Sequence, residues 1–422
     1  MGHPKINTSI LRMNPIRNSA RTYFGSWCKQ IYTVLFLLLL SILLPIEGEA
    51  QKVGQLDSLL NRLDGPFISD SMHADAYRQL ANYHIEFSAS EEALIYLDSL
   101  RLFSQKADYP LGELFYHYGS AYYYFRRGGY DSITVHLLGV VDLSKFVNKP
   151  GWTADALNKL AIVSSIQGKL DTARSYLDEA IRISFELADA DLISMNMLAL
   201  GDLEVEAGNY EAALKHFISV DSLFVAIDEV NYYRHGVALQ NIGNIYFDKI
   251  NNPDRALEYF SRARDAFVAE NNDRGEIDAV NKDMALVYKQ KGNFLFADSL
   301  LRVAVQGFNS RGHLRQVAET NIAYAGLKMD MELPQEAEAL LLEAETIYTD
   351  IDDKAGLRNT FLILGSLFFR TGEFPKSALN YERALGLENS AHGRTELLRK
   401  LADVYQQLGQ TNKALQSLNA YV

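Results

Sequence analysis

The sequence predicts an all-α chain built as a solenoid of antiparallel helix pairs, on three observations. A small or branched residue recurs nine times, at Ala93, Ile133, Ala173, Ala213, Ala256, Ala297, Ala337, Ser377 and Ala414, at intervals of 40, 40, 40, 43, 41, 40, 40 and 37 residues. A glycine precedes it in most units, at Gly128, Gly168, Gly208, Gly292, Gly372 and Gly409. A second small residue stands further upstream, at Ala161, Gly201, Gly243, Ala285, Gly365 and Ala402. One helical hairpin of this length cannot bury its apolar face alone, so stability has to accumulate from stacked neighbours.

The residue types explain the pattern. A small residue near the middle of each first helix lets the second helix approach, and the small residue that opens the second helix completes the contact. Glycine between them supplies the left-handed backbone that ends the first helix. Leu177, Phe217, Phe260, Leu301 and Tyr381 are expected to fill the space between hairpins. Repeat 1 lacks the turn glycine, and repeat 5 carries one extra turn residue at Asn251-Asn252-Pro253. Repeat 7, NIAYAGLKMDMELPQEA from Asn321 to Ala337, has no turn glycine and reads as out of register. Before repeat 1, Val53, Leu56, Leu60 and Leu63 recur at helical spacing ahead of Asp64-Gly65-Pro66, so residues 51–69 are expected to form an N-terminal capping helix. With nine prolines and no Gly/Ser-rich linker, residues 70–422 read as one continuous array of nine hairpins.

The first fifty residues differ. Lys5, Arg12, Arg17, Arg21 and Lys29 precede an uncharged run from Gln30 to Ile46, followed by Gly48-Glu49-Ala50. A basic head, an apolar stretch and small residues before Gln51 predict a secretory signal peptide over 1–50, cleaved after Ala50, and an exported, periplasmic mature chain. An uncleaved membrane anchor is the alternative. Cys28 is the only cysteine, so the mature chain forms no internal disulfide. The whole chain carries −12, and the leader's net +3 leaves −15 on residues 51–422, which disfavours nucleic acid and membrane surfaces as partners.

The segments LAIVSSIQGKLDTARSYLDEA (Leu160 to Ala180), LGDLEVEAGNYEAALKHFISV (Leu200 to Val220) and MALVYKQKGNFLFADSLLRVA (Met284 to Ala304) resemble the tetratricopeptide repeat, in its extended variety of roughly forty residues. The resemblance covers residues 70–422 and extends to the sensor regions of bacterial envelope signalling proteins. It implies a right-handed superhelical solenoid of about nine repeats whose first helices line a concave groove. In that family the residues three before, one after and four after the central small residue face the groove. Carried over, these are Tyr118, Tyr122 and Phe125 in repeat 2, Asn158, Ile162 and Ser165 in repeat 3, and Leu198, Asp202 and Val205 in repeat 4. Repeat 5 gives Gln240, Asn244 and Phe247, and repeat 6 gives Lys282, Leu286 and Lys289. Repeat 8 gives Leu362, Ser366 and Phe369, and repeat 9 gives Arg399, Asp403 and Gln406. Aromatics at one end, with amides and lysines beyond, suit an extended peptide; core aromatics and solvated lysines are the competing reading of the same residues. The polar clamp of chaperone-binding tetratricopeptide domains is matched only by Arg78 and Asn82, because Tyr122 and Ile162 stand where polar residues are needed.

Catalytic chemistry has no sequence signature. The nine histidines include no pair three or four apart, and HExxH, the Walker loop, GxGxxG and GxSxG are all missing. The aspartates at Asp189/Asp191 and Asp350/Asp352/Asp353 read as solvated turn residues. The expectation is a scaffold that binds a protein or peptide, with no enzyme activity, cofactor or metal. The alternative is a ligand-sensing input region of a histidine kinase or transcriptional regulator, its membrane or effector part lying beyond Val422.

Overall fold

The computed structural model describes residues 60, 63, 69–87, 91–227, 231–271 and 274–421. The expected signal peptide lies outside them, as do the expected capping helix apart from residues 60, 63 and 69 and the turn of repeat 1. Every described element is a helix. Repeat 1 comprises α1 (Asp70–Phe87) and α2 (Glu92–Lys106), repeat 2 α3 (Pro110–Arg127) and α4 (Tyr130–Phe146), and repeat 3 α5 (Pro150–Ile166) and α6 (Leu170–Leu187). Repeat 4 comprises α7 (Ala190–Glu206) and α8 (Tyr210–Ala226), repeat 5 α9 (Tyr232–Asp248) and α10 (Pro253–Glu270), and repeat 6 α11 (Glu276–Gln290) and α12 (Phe294–Ser310). Repeat 7 comprises α13 (Leu314–Asp330) and α14 (Pro334–Asp350), repeat 8 α15 (Lys354–Arg370) and α16 (Phe374–Leu387), and repeat 9 α17 (Ala391–Gln407) and α18 (Thr411–Tyr421).

Local chemistry sets the boundaries. Pro110, Pro253 and Pro334 open α3, α10 and α14, where a missing N–H costs nothing. The side chains of Asp189, Asn231, Asn252, Asn293, Asp353 and Ser390 accept first-turn N–H groups of the helices that they precede. All six turn glycines singled out in the sequence lie in the left-handed region, with φ between 69° and 79°.

The recurring small residues are the contact points of the hairpins. Eight of the nine that open second helices are at most 2% exposed, and Ala414 is 9% exposed. Ser377 Oγ donates to the Gly365 carbonyl at 2.8 Å, which shows how near the two helices of repeat 8 run. The glycines of the first helices face rings of the second: a Cβ built on Gly243 would stand 2.6 Å from Phe260 Cε1, and one on Gly365 would stand 2.5 Å from Tyr381 Cδ1. Phe217, Phe260 and Tyr381 therefore fill their own hairpin as well as the gap between hairpins, the one place that the sequence assigned them.

Two readings are corrected. Repeat 7 is in register: Ala325, fully buried, stands forty residues after Ala285 and forty before Gly365, and Glu332 adopts the left-handed conformation (φ 60°) taken by glycine in six other repeats and by Asn251 in repeat 5. Of the turn aspartates, Asp191, Asp350 and Asp352 are exposed as expected, whereas Asp189 and Asp353 are tied into the repeats. Asp189 caps α7 through the Leu192 N–H (2.9 Å), Asp191 accepts from Asn231 (2.9 Å) and Arg234 (2.5 Å), and Asp353 both caps α15 and pairs with Arg315.

The chain forms two compact units, one ending at Trp152 and the other beginning at Thr153. The division falls inside α5, in helical sequence without linker composition, so no boundary could be read from the residues. In the first unit Ala81, Ile85, Ala93, Leu97 and Tyr123 make a buried core. In the second the core runs through every interface, for example Phe217, Phe224, Ala238 and Ile242 between repeats 4 and 5, and Ala337, Leu341, Phe361 and Leu364 between repeats 7 and 8. No helix among the described residues is long and apolar enough to cross a membrane.

Candidate binding face on the first helices

In the first unit the predicted residues of α3 form an aromatic surface. Tyr118 meets Trp152 edge to face, with centroids 5.3 Å apart, and Phe115 packs on the same indole at 5.8 Å. The Arg78 guanidinium lies 5.4 Å over the Phe115 ring and is held by Asp75 at 2.5 Å. One and two turns beyond Tyr118, Tyr122 is 38% exposed and Phe125 is 52% exposed, while Trp152 is 37% exposed. Phe115 and Trp152 were missed by position matching alone. Phe115 stands three residues before Tyr118 and so shares its helical face, which was the available signal.

In the second unit the first helices of successive repeats touch one another: α7 with α9, α9 with α11, α11 with α13 and α13 with α15. Along this row the predicted polar residues pair mostly across repeats. Asn158 is buried, donating to Asn196 Oδ1 at 2.9 Å, and Asn196 donates in turn to Ser184 at 2.9 Å. Ser165 donates to Glu206, Asn241 donates to Asp202 at 2.9 Å, and Gln240 donates to Asp283 at 2.6 Å. Lys289 pairs with Asp330 at 3.1 Å, and Arg370 donates to the Met329 carbonyl at 3.3 Å. Asn244 is half-buried, and Lys282 stands beside Asp283, whose ionised form its charge favours. Phe247 packs its half-buried ring against the core of repeats 5 to 7.

The carboxylates of this row are electrostatically distinctive. Asp202 is exposed to solvent yet walled by neighbouring side chains, and this desolvation pushes its pKa up to about 6 against the opposing hydrogen bond from Asn241. Burial also raises Asp283, opposed by Lys282 and the Gln240 amide and reinforced by Asp248. Among the described residues no three His, Cys, Asp or Glu side chains converge as a metal centre.

The comparisons with known proteins agree on the architecture. Residues 152–220 match the tetratricopeptide repeat model. The apo form of the quorum sensor NprR from B. thuringiensis superposes with a TM-score of 0.61 at 18% identity, covering 82% of this chain and 100% of that one. The apo form of RapI gives 0.53 at 16% identity, covering 69% of this chain and 99% of that one. A signal-transduction ATPase with a tetratricopeptide repeat sensor from Pyrococcus horikoshii gives 0.51 at 16% identity, covering 85% of this chain and 53% of that one. No curated protein sequence matches the chain significantly. The fold is thus that of a tetratricopeptide-like set of helical hairpins.

Proposed function

We propose that the protein is an exported binding scaffold without enzymatic activity, and that it holds a peptide or protein segment against its first helices. The observation that carries this reading is the exposure of Tyr122 and Phe125 on the face of α3 that the repeat pattern assigns to ligand. Exposed apolar residues scattered singly are ordinary, but aromatics gathered on one helical face mark interaction sites and dominate interface hot spots. Within the second unit, Gln240 and Asn244, with Phe247, Lys282 and Lys289, form a polar row of their own on the first helices, whereas Asn158 is buried beneath it. A second reading, a ligand-sensing input region of a signalling protein, draws on the solved arrays of this fold that are described as a quorum sensor and as a repeat sensor.

The test is affinity capture from an envelope extract with the wild-type chain and with Tyr122→Ala/Phe125→Ala. The double variant should keep its helicity and weaken its ligand by at least about 2 kcal/mol. Undiminished capture by the double variant at physiological salt would remove α3 from the binding face.

A further inference from the structure

The hairpin of repeat 2 also holds two histidines that the binding face leaves unused. His117 on α3 and His136 on α4 bring their Nδ1 atoms to 3.2 Å. They are 19 residues apart and meet across the hairpin, where no spacing rule for a single helix finds them. Packing fixes both rings. Tyr124 stacks on His136, with centroids 5.6 Å apart and planes 17° from parallel. Tyr116 meets His117 edge to face at 5.0 Å and His136 at 5.5 Å. Gly139 leaves room for the His117 ring: a Cβ there would stand 2.6 Å from His117 Nδ1.

As they stand, one Nδ1 donates a hydrogen and the other accepts it. Two imidazole nitrogens bound to one tetrahedral ion at about 2.0–2.1 Å are separated by about 3.3 Å, so the observed spacing already suits chelation. Moving the shared hydrogen to Nε2 of its own ring frees both lone pairs and releases no proton. We infer that His117 and His136 chelate a divalent transition-metal ion of imidazole preference, Cu2+ or Zn2+, through both Nδ1 atoms, with water completing its coordination.

The surroundings are consistent with ligand imidazoles. Burial, and then the charge of His117, holds His136 at about 4, while burial, and then the Arg101 guanidinium, lowers His117. Arg101, on α2, lies 5.6 Å from the Tyr116 ring centre and repels an incoming cation, so binding is expected to be weaker than at sites with three protein ligands. Tyr116 and Tyr124 are the other titratable groups against the rings.

The test titrates the full chain with Cu2+ alone at pH 7 and records the paramagnetic resonance spectrum. Apart from any four-nitrogen copper site at a free Met1-Gly2-His3 terminus, one further equivalent with hyperfine structure from two nitrogens is expected. His117→Gln and His136→Gln should each weaken it by at least about tenfold, whereas His84→Gln should leave it unchanged. No such equivalent in the wild type, or its retention in either variant, overturns the proposal. Should a variant lose helicity by circular dichroism, the wild type decides: Zn2+ must shift the Nδ1 nitrogen resonances of two histidines, and unshifted resonances refute the site.

Discussion

Adding one methyl group at Gly243 should destabilise the array, whereas the same change at Gly386 should not. Both glycines are helical, in α9 and α16, and replacing a mid-helix glycine by alanine ordinarily gains about 0.5–1 kcal/mol from reduced backbone entropy. At Gly386, the next-to-last residue of its helix, no atom lies within 4 Å of the added Cβ, so part of that gain should appear. At Gly243 the added carbon would stand 2.6 Å from Phe260 Cε1 and 2.7 Å from Cδ1. The obstacle is a fully buried aromatic ring packed among Ala256, Ala263 and Met284, without the freedom of a flexible chain end. Overpacking of this kind costs about 1–3 kcal/mol, leaving a net loss of up to roughly 2.5 kcal/mol and about 1 kcal/mol at the centre of both ranges. A repeat array need not unfold in two states, so amide hydrogen exchange in α9 and α10 is a better assay than a single melting temperature. Protection there should fall in Gly243→Ala and hold or rise around Gly386 in Gly386→Ala. Combining Gly243→Ala with Phe260→Leu should cost less than the sum of the single changes, because the shorter side chain yields the space. Protection in Gly243→Ala equal to or above wild type, or strict additivity with Phe260→Leu, would refute the assignment of Gly243 as the point of closest approach.

Further expectations follow from single side chains. Asn321 is fully buried and neither amide atom has a hydrogen-bond partner, so Asn321→Leu should stabilise repeat 7 by about 1–3 kcal/mol, read from chemical denaturation; a loss of stability would mean that the amide is paired in solution. Asp202, with its folded pKa raised from 3.8 to about 6, contributes stability that is fully present below the unfolded value and lost as pH rises through about 6. Asp202→Asn, which keeps an acceptor for Asn241, should therefore gain stability at pH 7 and little at pH 4. The gain should stay under about 1 kcal/mol because the side chain is open to solvent screening. Equal denaturation midpoints for variant and wild type at both pH values would contradict it.

The architecture was legible because its determinants are local and repeated. Ala93, Ala173, Ala213 and their counterparts recur for a packing reason that does not depend on the partner, and the left-handed glycines mark helix ends by themselves. Repeat 7 was misread because glutamate at 332 replaced the glycine used as the marker, although Ala325 kept the spacing. Asp353 was misread for another reason. It looks solvated until Arg315 arrives from the neighbouring repeat, 38 residues away. Position matching named Asn158 and Gln240 as groove-facing without their partners, because nothing in one helix reveals that Asn196 and Asp283 of the next repeat take up their amides.

That internal pairing bears on where binding energy can come from. A ligand that pairs with Gln240 or Lys289 must first part them from Asp283 or Asp330, so one polar contact is exchanged for another and the net gain is small. Tyr122 and Phe125 break no such protein pair when covered, and burying such a side chain fully is worth about 1.5–3 kcal/mol, of which their 38% and 52% exposure leaves roughly a third to a half to be gained. The aromatic surface of the first unit should therefore yield more affinity per contact than the paired row within the second, which should act through selection. A segment that offers nothing to replace the broken pairs leaves a carboxylate such as Asp283 uncompensated in a site where burial already disfavours its charge.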